Sequence, residues 1–481
     1  MNIATVIRYT GMVLLLNAAF MLISAFISLV SGVDTAFYPL LLSFLITTII
    51  GLFPLIFVPN DPNLTGKEGY IIVIASWIMS CAVGTLPYLI WGGEFSLSNA
   101  WFESTSGFTT TGSTILANVE ALPRGLLFWR ASTHWVGGVG VVLFALVILP
   151  SVGRTKMTLS NVEMSSLARD NFRYTTKKLF KIILLVYGGL TLLETVLLCF
   201  AGMNWFDAVT HSFSTMATGG FSTKNLSVKY FDSLSIEMII MVFMFIAGMH
   251  LGLIYASIKG KHNNFFHSEV WRFYAFSVMV AITCVSLNLW AFNVFPDFWS
   301  SLRYGSFQVV SYTSTTGFAS SDAAYWPAFS ILIMIYMSIQ CSMAGSTSGG
   351  VKVDRVVLLL KSLRARILKL QHPNAVIRVR LGGITQEDST VNTAVLLIAF
   401  YILVLFISTV VLTLFNLDLS TSFTATVASL GNVGPGFGEV GNLSNMGFLP
   451  NGVKWWLTVV MLFGRLELFG LIHIFMIGSW K

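Results

Sequence analysis

Ser106-Gly107-Phe108-Thr109-Thr110-Thr111-Gly112-Ser113-Thr114 is the stretch on which the fold of this 481-residue chain turns. It closes an apolar piece, Leu97–Phe108, that is too short to cross a bilayer as a helix, which takes about 20 residues. The piece ends in small polar residues and glycine. In hydrocarbon the unpaired backbone of such a loop is prohibitively costly, and it is tolerated only where protein surrounds it or water fills a cavity. A half-helix that enters the membrane and turns back meets that condition.

The same arrangement recurs three more times. Half-length pieces at 205–216, 298–313 and 420–430 run into Met216-Ala217-Thr218-Gly219-Gly220, Ser314-Thr315-Thr316-Gly317-Phe318 and Gly431-Asn432-Val433-Gly434-Pro435. Each loop has Thr or Val followed by Gly, and Gly112, Gly219, Gly317 and Gly434 are spaced 107, 98 and 117 residues apart. A long apolar run flanks each loop on either side, giving units at about 69–150, 178–258, 266–351 and 389–479. Two apolar helices, about 5–31 and 36–58, precede them. Internal repetition of this kind outranks any single motif in deciding a fold. The expected fold is an all-α integral membrane protein. Its segments are 1–66 (two leading helices), 67–160, 161–262, 263–380 and 381–481 (four repeats).

Composition agrees. The chain is 55% hydrophobic and 10% charged, against about 25% charged residues in soluble domains. So few charges cannot coat a water-exposed globule of this size. Cys81, Cys199, Cys284 and Cys341 lie in or beside apolar runs with no C-x-x-C, which argues against a disulfide framework or zinc site. The run 11–30 after Arg8 is long enough to span and shows no clear cleavage site, so it reads as a retained helix. Three stretches, 151–181, 259–272 and 352–380, hold 18 of the 28 basic residues. They are expected to face the cytoplasm, with both termini. The short alternate loops carry Asp34, Glu94, Asp297 and Asp418 and are expected outside. The net charge of +7 is mostly this orientation signal. Nucleic-acid binding is a poor alternative, because no soluble domain presents the charge.

The loop chemistry suits a cation. A dehydrating ion needs replacement oxygens, and successive backbone carbonyls provide them. Glycine permits the dihedrals such a loop needs, and threonine adds a hydroxyl oxygen. A half-helix entering from outside aims its negative C-terminal end at mid-membrane. Any one Thr-Gly pair taken alone reads first as a helix with a C-cap glycine; four in equivalent places make a ring the better account. The candidate filter comprises Thr110, Thr111, Gly112, Ala217, Thr218, Gly219, Thr315, Thr316, Gly317, Asn432, Val433 and Gly434.

SGFTTTGST (106–114), HSFSTMATGGFST (211–223), STTGF (314–318) and LGNVGPGFGE (430–439) resemble the Trk/Ktr/HKT superfamily of potassium transporters, and the two leading helices most resemble its TrkH-type branch. The resemblance covers essentially the whole chain. It implies four M1–pore helix–M2 units with pseudo-fourfold symmetry around one pore, potassium as the permeant ion and no organic cofactor. It also implies a homodimer in a bacterial cytoplasmic (inner) membrane, under a cytoplasmic ring of nucleotide-binding regulatory (TrkA-like) subunits. In one branch serine in the first loop accompanies sodium preference, so Gly112 argues for potassium. Asn432-Val433 departs from threonine and makes the ring uneven, so carbonyls rather than hydroxyls are expected to coordinate there.

In the third repeat Cys341-Ser342-Met343-Ala344-Gly345-Ser346-Thr347-Ser348-Gly349-Gly350 interrupts the last helix. The resemblance implies a gate at Gly345, Ser346, Thr347, Ser348, Gly349 and Gly350, although Ser348 stands where glycine is expected. The alternative is a loose helix end leading to Lys352. Arg465, a charge placed mid-helix in lipid, costs at least about 2.5 kcal/mol and should face the interior. It is either a structural partner of Glu467 or of loop carbonyls, or a positive barrier in the pore. Glu103 and Glu439 are expected near the outer mouth, either concentrating cations or simply solvated. His134, His211, His250 and His473 show no metal-ligand spacing and read as packing residues. Gly137-Gly138-Val139-Gly140 reads as close helix packing. Two competing functions are a secondary cation or solute symporter with broken helices, which predicts inverted repeats, and a membrane enzyme, for which no acid–base or metal constellation is visible.

Overall fold

The computed structural model describes residues 2–59, 66–148, 176–258 and 265–466. Glu467, His473 and much of the basic stretch 151–181 lie outside the described residues, as do Lys259 and Lys261.

The two leading helices, α1 (Ile3–Val30) and α2 (Phe37–Phe57), form an antiparallel pair. They cross on glycine: a Cβ at Gly11 would sit 2.7 Å from the Gly51 carbonyl oxygen, and one at Gly51 would sit 3.0 Å from that of Gly11. Small residues let helix backbones approach this closely in lipid, where no hydrophobic force drives association. Arg8 donates to the carbonyls of Leu55 and Val58 and so caps the end of α2. One face of the pair packs on the rest, with Asn17 Nδ2 donating to Ser80 Oγ at 2.9 Å. The other face exposes Phe26, Tyr38, Ile49 and Phe53. Such apolar exposure is the mark of a lipid-facing surface.

The first repeat is α3 (Gly66–Trp91), α4 (Leu97–Phe108) and α5 (Arg124–Ile148). The second is α6 (Thr176–Phe200), α7 (Trp205–Ala217), α8 (Leu234–Ala247) and α9 (Leu251–Ile258). The third is α10 (Glu269–Ala291), α11 (Phe298–Thr313), α12 (Ala328–Gln340) and α13 (Val353–Gln371). The fourth is α14 (Asp388–Thr413), α15 (Leu419–Leu430) and α16 (Asn451–Arg465). Among the described residues five helices are long and apolar enough to span, and α8 with α9 make a sixth span if a bend is allowed. A two-stranded hairpin, β1 (Arg380–Leu381) with β2 (Ile384–Thr385), turns on Gly382-Gly383 and is a small departure from the all-α expectation.

The second repeat corrects the sequence reading. Its last helix was expected to run unbroken to about 258; instead α8 and α9 meet at 103° around Gly248–His250. The helix breaks because its backbone groups find partners elsewhere. Leu251 N–H donates to Gly345 O at 3.2 Å, and Gly248 O accepts from Met343 N–H at 3.1 Å. Both partners lie in the interruption between α12 and α13, so two broken helices satisfy each other.

The four half-helices α4, α7, α11 and α15 start at Ser96, Asn204, Asp297 and Asp418. Each of these side chains accepts a hydrogen bond from the backbone three residues on, the preferred N-cap chemistry. The half-helices are rich in hydroxyl residues yet buried. Thr109, Ser212, Thr215, Thr313 and Thr426 each return a hydrogen bond to the carbonyl four residues back. The surrounding helices therefore hold polar half-helices away from lipid.

Candidate cation-conducting site

All four half-helices end the same way. Thr110, Thr218, Thr315 and Asn432 adopt φ of 53°, 57°, 60° and 53°. Their N–H groups bond the carbonyl three residues back, and the N–H of the next residue (Thr111, Gly219, Thr316, Val433) bonds the carbonyl five back. This is the Schellman C-cap, in which glycine is the usual left-handed residue. Three β-branched threonines held there instead carry strain of order 1–3 kcal/mol each. The helix ends are thus C-capped, but by Thr or Asn and not by the glycine of each pair as the C-cap alternative expected; Gly112, Gly317 and Gly434 lie two residues further on.

Two residues past each cap the backbone becomes left-handed at Gly112, Gly220, Gly317 and Gly434, with φ of 84°, 80°, 77° and 96°. These glycines close a circle. A Cβ on Gly112 would lie 1.9 Å from Gly219 O, on Gly220 1.9 Å from Thr316 O, on Gly317 2.2 Å from Val433 O, and on Gly434 2.5 Å from Thr111 O. Each loop abuts the carbonyl of the next, and the fourth returns to the first. Ser113 Oγ reinforces the last contact by donating to Gly434 O at 2.8 Å. A vestibule opens on all four glycines and is bordered by Phe221 and Lys224.

The circle corrects the register of the second loop. The Thr-Gly pattern places Ala217-Thr218-Gly219 beside Thr110-Thr111-Gly112; the structure sets Thr218-Gly219-Gly220 there. Ala217 is the last residue of α7, and its carbonyl accepts from the Thr218 hydroxyl. Two adjacent glycines made the slip possible. Only the position-specific φ and the hydrogen-bond pattern separate them.

Behind the ring, the residue seven before each cap staples the returning strand in three repeats. Glu103 accepts from Thr114 Oγ1 (3.0 Å) and Ile115 N–H (3.1 Å). His211 Nε2 bonds Ser222 Oγ at 2.9 Å. Gln308 Nε2 donates to Ser321 O at 3.4 Å. In the fourth, Thr424 Oγ1 donates to Phe437 O at 3.2 Å from the position next to Ala425. Glu103 is therefore neither a mouth acid nor a solvated one. It is fully buried and paired at 2.8 Å with Arg130, which also donates to Ser222 O and stacks on Phe221 at 4.0 Å. The sequence held this signal as polar residues at matching offsets in Leu97–Phe108, Trp205–Ala217 and Phe298–Thr313. Glu439 is exposed. His134 and His211 are buried and His250 is half-buried, and no metal-binding cluster occurs among the described residues.

On the half-helix side of the ring, residues 341–352 cross beneath it, with left-handed or strained backbone at Cys341, Gly345, Gly350 and Lys352. Ser342 Oγ donates to Thr313 O (2.9 Å), Thr347 Oγ1 to Met216 O (2.9 Å), and Gly349 N–H to Thr315 Oγ1 (3.2 Å). A Cβ on Gly349 would meet Gly431 O at 2.4 Å, and one on Gly345 would meet the His250 ring at 2.3 Å. Lys352 Nζ bonds back to Ser348, and the Asp354 carboxylate accepts from Ala344 N–H at 2.6 Å. Arg465 lies 7% exposed; it donates to Thr347 O at 2.6 Å and to Gly137 O in α5 at 2.9 Å. The segment thus touches the second, third and fourth repeats directly and the first through Arg465. Gly137 itself packs against Phe108 O, as the helix-packing reading of 137–140 expected.

The family model for TrkH, described as a cation transport protein, matches residues 40–479. The chain belongs to the TrkH family. This TrkH-family chain is 34% identical, over all of both chains, to the Trk system potassium uptake protein TrkH of Salmonella typhimurium and to its counterpart in Escherichia coli K12. The crystal structure of the potassium transporter TrkH from Vibrio parahaemolyticus overlays it with a TM-score of 0.89, at 31% identity over the full length of both. The fold is that of an integral membrane cation transporter of the TrkH family.

Proposed function

We propose that this chain takes up potassium across a bacterial cytoplasmic membrane, through a filter made by the four loops. The observation that carries the proposal is the closed circle in which each left-handed glycine abuts the carbonyl of the next loop. One small axial passage walled by backbone oxygen suits an ion that must exchange its hydration shell. Four half-helix C-termini around it favour positive charge. The names of the full-length relatives, potassium uptake proteins, support potassium as the ion.

In this reading the filter oxygens belong to Thr110, Thr111, Gly112, Thr218, Gly219, Gly220, Thr315, Thr316, Gly317, Asn432, Val433 and Gly434. The segment with Gly345, Ser346, Thr347, Ser348, Gly349 and Gly350 is the gate, and Arg465 is both its latch and a positive barrier. The repeats occupy 67–160, 161–262, 263–380 and 381–481. A homodimer, a cytoplasmic nucleotide-binding regulatory ring and cytoplasmic termini complete the proposal.

The test is rescue of a potassium-uptake-deficient bacterium on low-potassium medium. The unaltered chain is expected to restore growth, and Gly112→Ser or Gly317→Ser at equal membrane abundance to reduce rescue. Growth undiminished by both substitutions would refute the filter.

A further inference from the structure

Asn432 differs from its three counterparts in where its side chain goes. Thr110 Oγ1 is buried with no protein partner among the described residues. Thr218 Oγ1 turns onto the Ala217 carbonyl, and Thr315 Oγ1 accepts from Gly349 N–H. None of these three hydroxyls reaches a neighbouring filter loop. Asn432 does: its Nδ2 donates to Thr111 Oγ1 in the first loop and to Met461 O in α16, each at 3.0 Å. The amide is fully buried. Its Oδ1 faces a slot where a Cβ on Gly349 would come within 2.8 Å, and one on Gly464 within 2.7 Å. One side chain therefore touches the first loop, the last pore-lining helix beside Arg465, and the wall of the gating segment.

We infer that Asn432 is a positioning residue that fixes the spacing of the filter ring, and thereby its preference for potassium over sodium, by tying the fourth loop to the first and to α16. The inference rests on the filter reading above. A ring whose oxygens are held apart leaves the smaller sodium ion under-coordinated, whereas a loosened ring closes onto it. The seam between the fourth and first loops is where such a tie acts. There the loops leave the most room of the four: a Cβ on Gly434 would lie 2.5 Å from the neighbouring carbonyl, against 1.9 Å for one on Gly112 or Gly220. A threonine at 432 has no donor long enough to span that seam. The chain thus departs from threonine at this one position for a reason the backbone alone does not supply.

The experiment compares rubidium and sodium tracer influx into proteoliposomes holding the full chain. Asn432→Ala and Thr111→Val are each expected to lower the rubidium-to-sodium ratio about three- to tenfold, the factor that one or two buried hydrogen bonds represent. Because both remove the same tie, the double variant should be no worse than the poorer single one. Thr111→Ser keeps the acceptor for Asn432 and the contact with Thr109 Oγ1 and should retain the ratio, which separates loss of the hydroxyl from loss of the side chain's bulk. Asn432→Gly is the counter-test, since glycine suits φ of 53°. An unchanged ratio there would mean that only backbone conformation matters, and would overturn the inference, as would additive losses in the double variant. Gly317→Ser is run alongside. If it too leaves the ratio unchanged, the filter reading falls and takes this inference with it; if it lowers the ratio while the Asn432 variants do not, this inference alone falls.

Discussion

Replacing Arg465 with alanine should release the segment beneath the filter and raise ion flux. The guanidinium holds Thr347 O at 2.6 Å and Gly137 O at 2.9 Å, so it joins the crossing segment to α5 of the first repeat. A hydrogen bond from a charged donor is worth about 1.5–3 kcal/mol net. Two at the lower end give about 3 kcal/mol, which shifts the balance between seated and displaced segment by roughly 100-fold. The rate of the open pore caps what is observed, so rubidium tracer influx into proteoliposomes should rise at least about fivefold. On the proposed reading, loss of a positive charge beside the cation path acts in the same direction. Arg465→Lys should fall between, because an ammonium is a point charge and cannot hold two carbonyls as a planar fork does. Influx that stays level or drops, at equal reconstituted protein, would refute the latch.

Gly220→Ala should abolish uptake, because its Cβ would enter the Thr316 carbonyl, whereas Gly189→Ala in α6, with nothing within 4 Å, should leave uptake intact; low-potassium growth with membrane abundance measured by immunoblot distinguishes them. Glu103→Ala should strip the buried Arg130 of its partner and cost about 3–5 kcal/mol, read as a lowered Tm of the detergent-purified protein. Gly349→Ala should push the crossing segment off Gly431 O and increase leak of rubidium from loaded vesicles; unchanged leak would mean that the segment has room to yield.

The half-helices were legible in the sequence because length and composition disagree there. Ser/Thr-rich pieces of 12–16 residues between long apolar runs have no other place in a bilayer. The bounds came out within a residue for α7 and α15 and unchanged for α4 and α11. The interruption at 341–350 was legible because glycine and hydroxyl residues cluster in it. What escaped was whatever depends on a partner distant in sequence. The break at Gly248–His250 carries one glycine and no proline, and it forms because Met343 and Gly345 offer the missing hydrogen bonds. Glu103 looks like a mouth acid until Arg130, 27 residues on, is seen beside it. Asn432 reads as a deviation from threonine until Thr111, 321 residues away, supplies its acceptor. The Thr218-Gly219-Gly220 register is local, but composition cannot rank two adjacent glycines; the left-handed φ at Gly220 does.

Anomalous diffraction from crystals of the protein equilibrated with rubidium locates the permeant ion directly. The account predicts peaks on the axis enclosed by Gly112, Gly220, Gly317 and Gly434, within coordination distance of carbonyl oxygens from all four loops. Well-occupied rubidium elsewhere in the transmembrane region, with that axis empty, would contradict it.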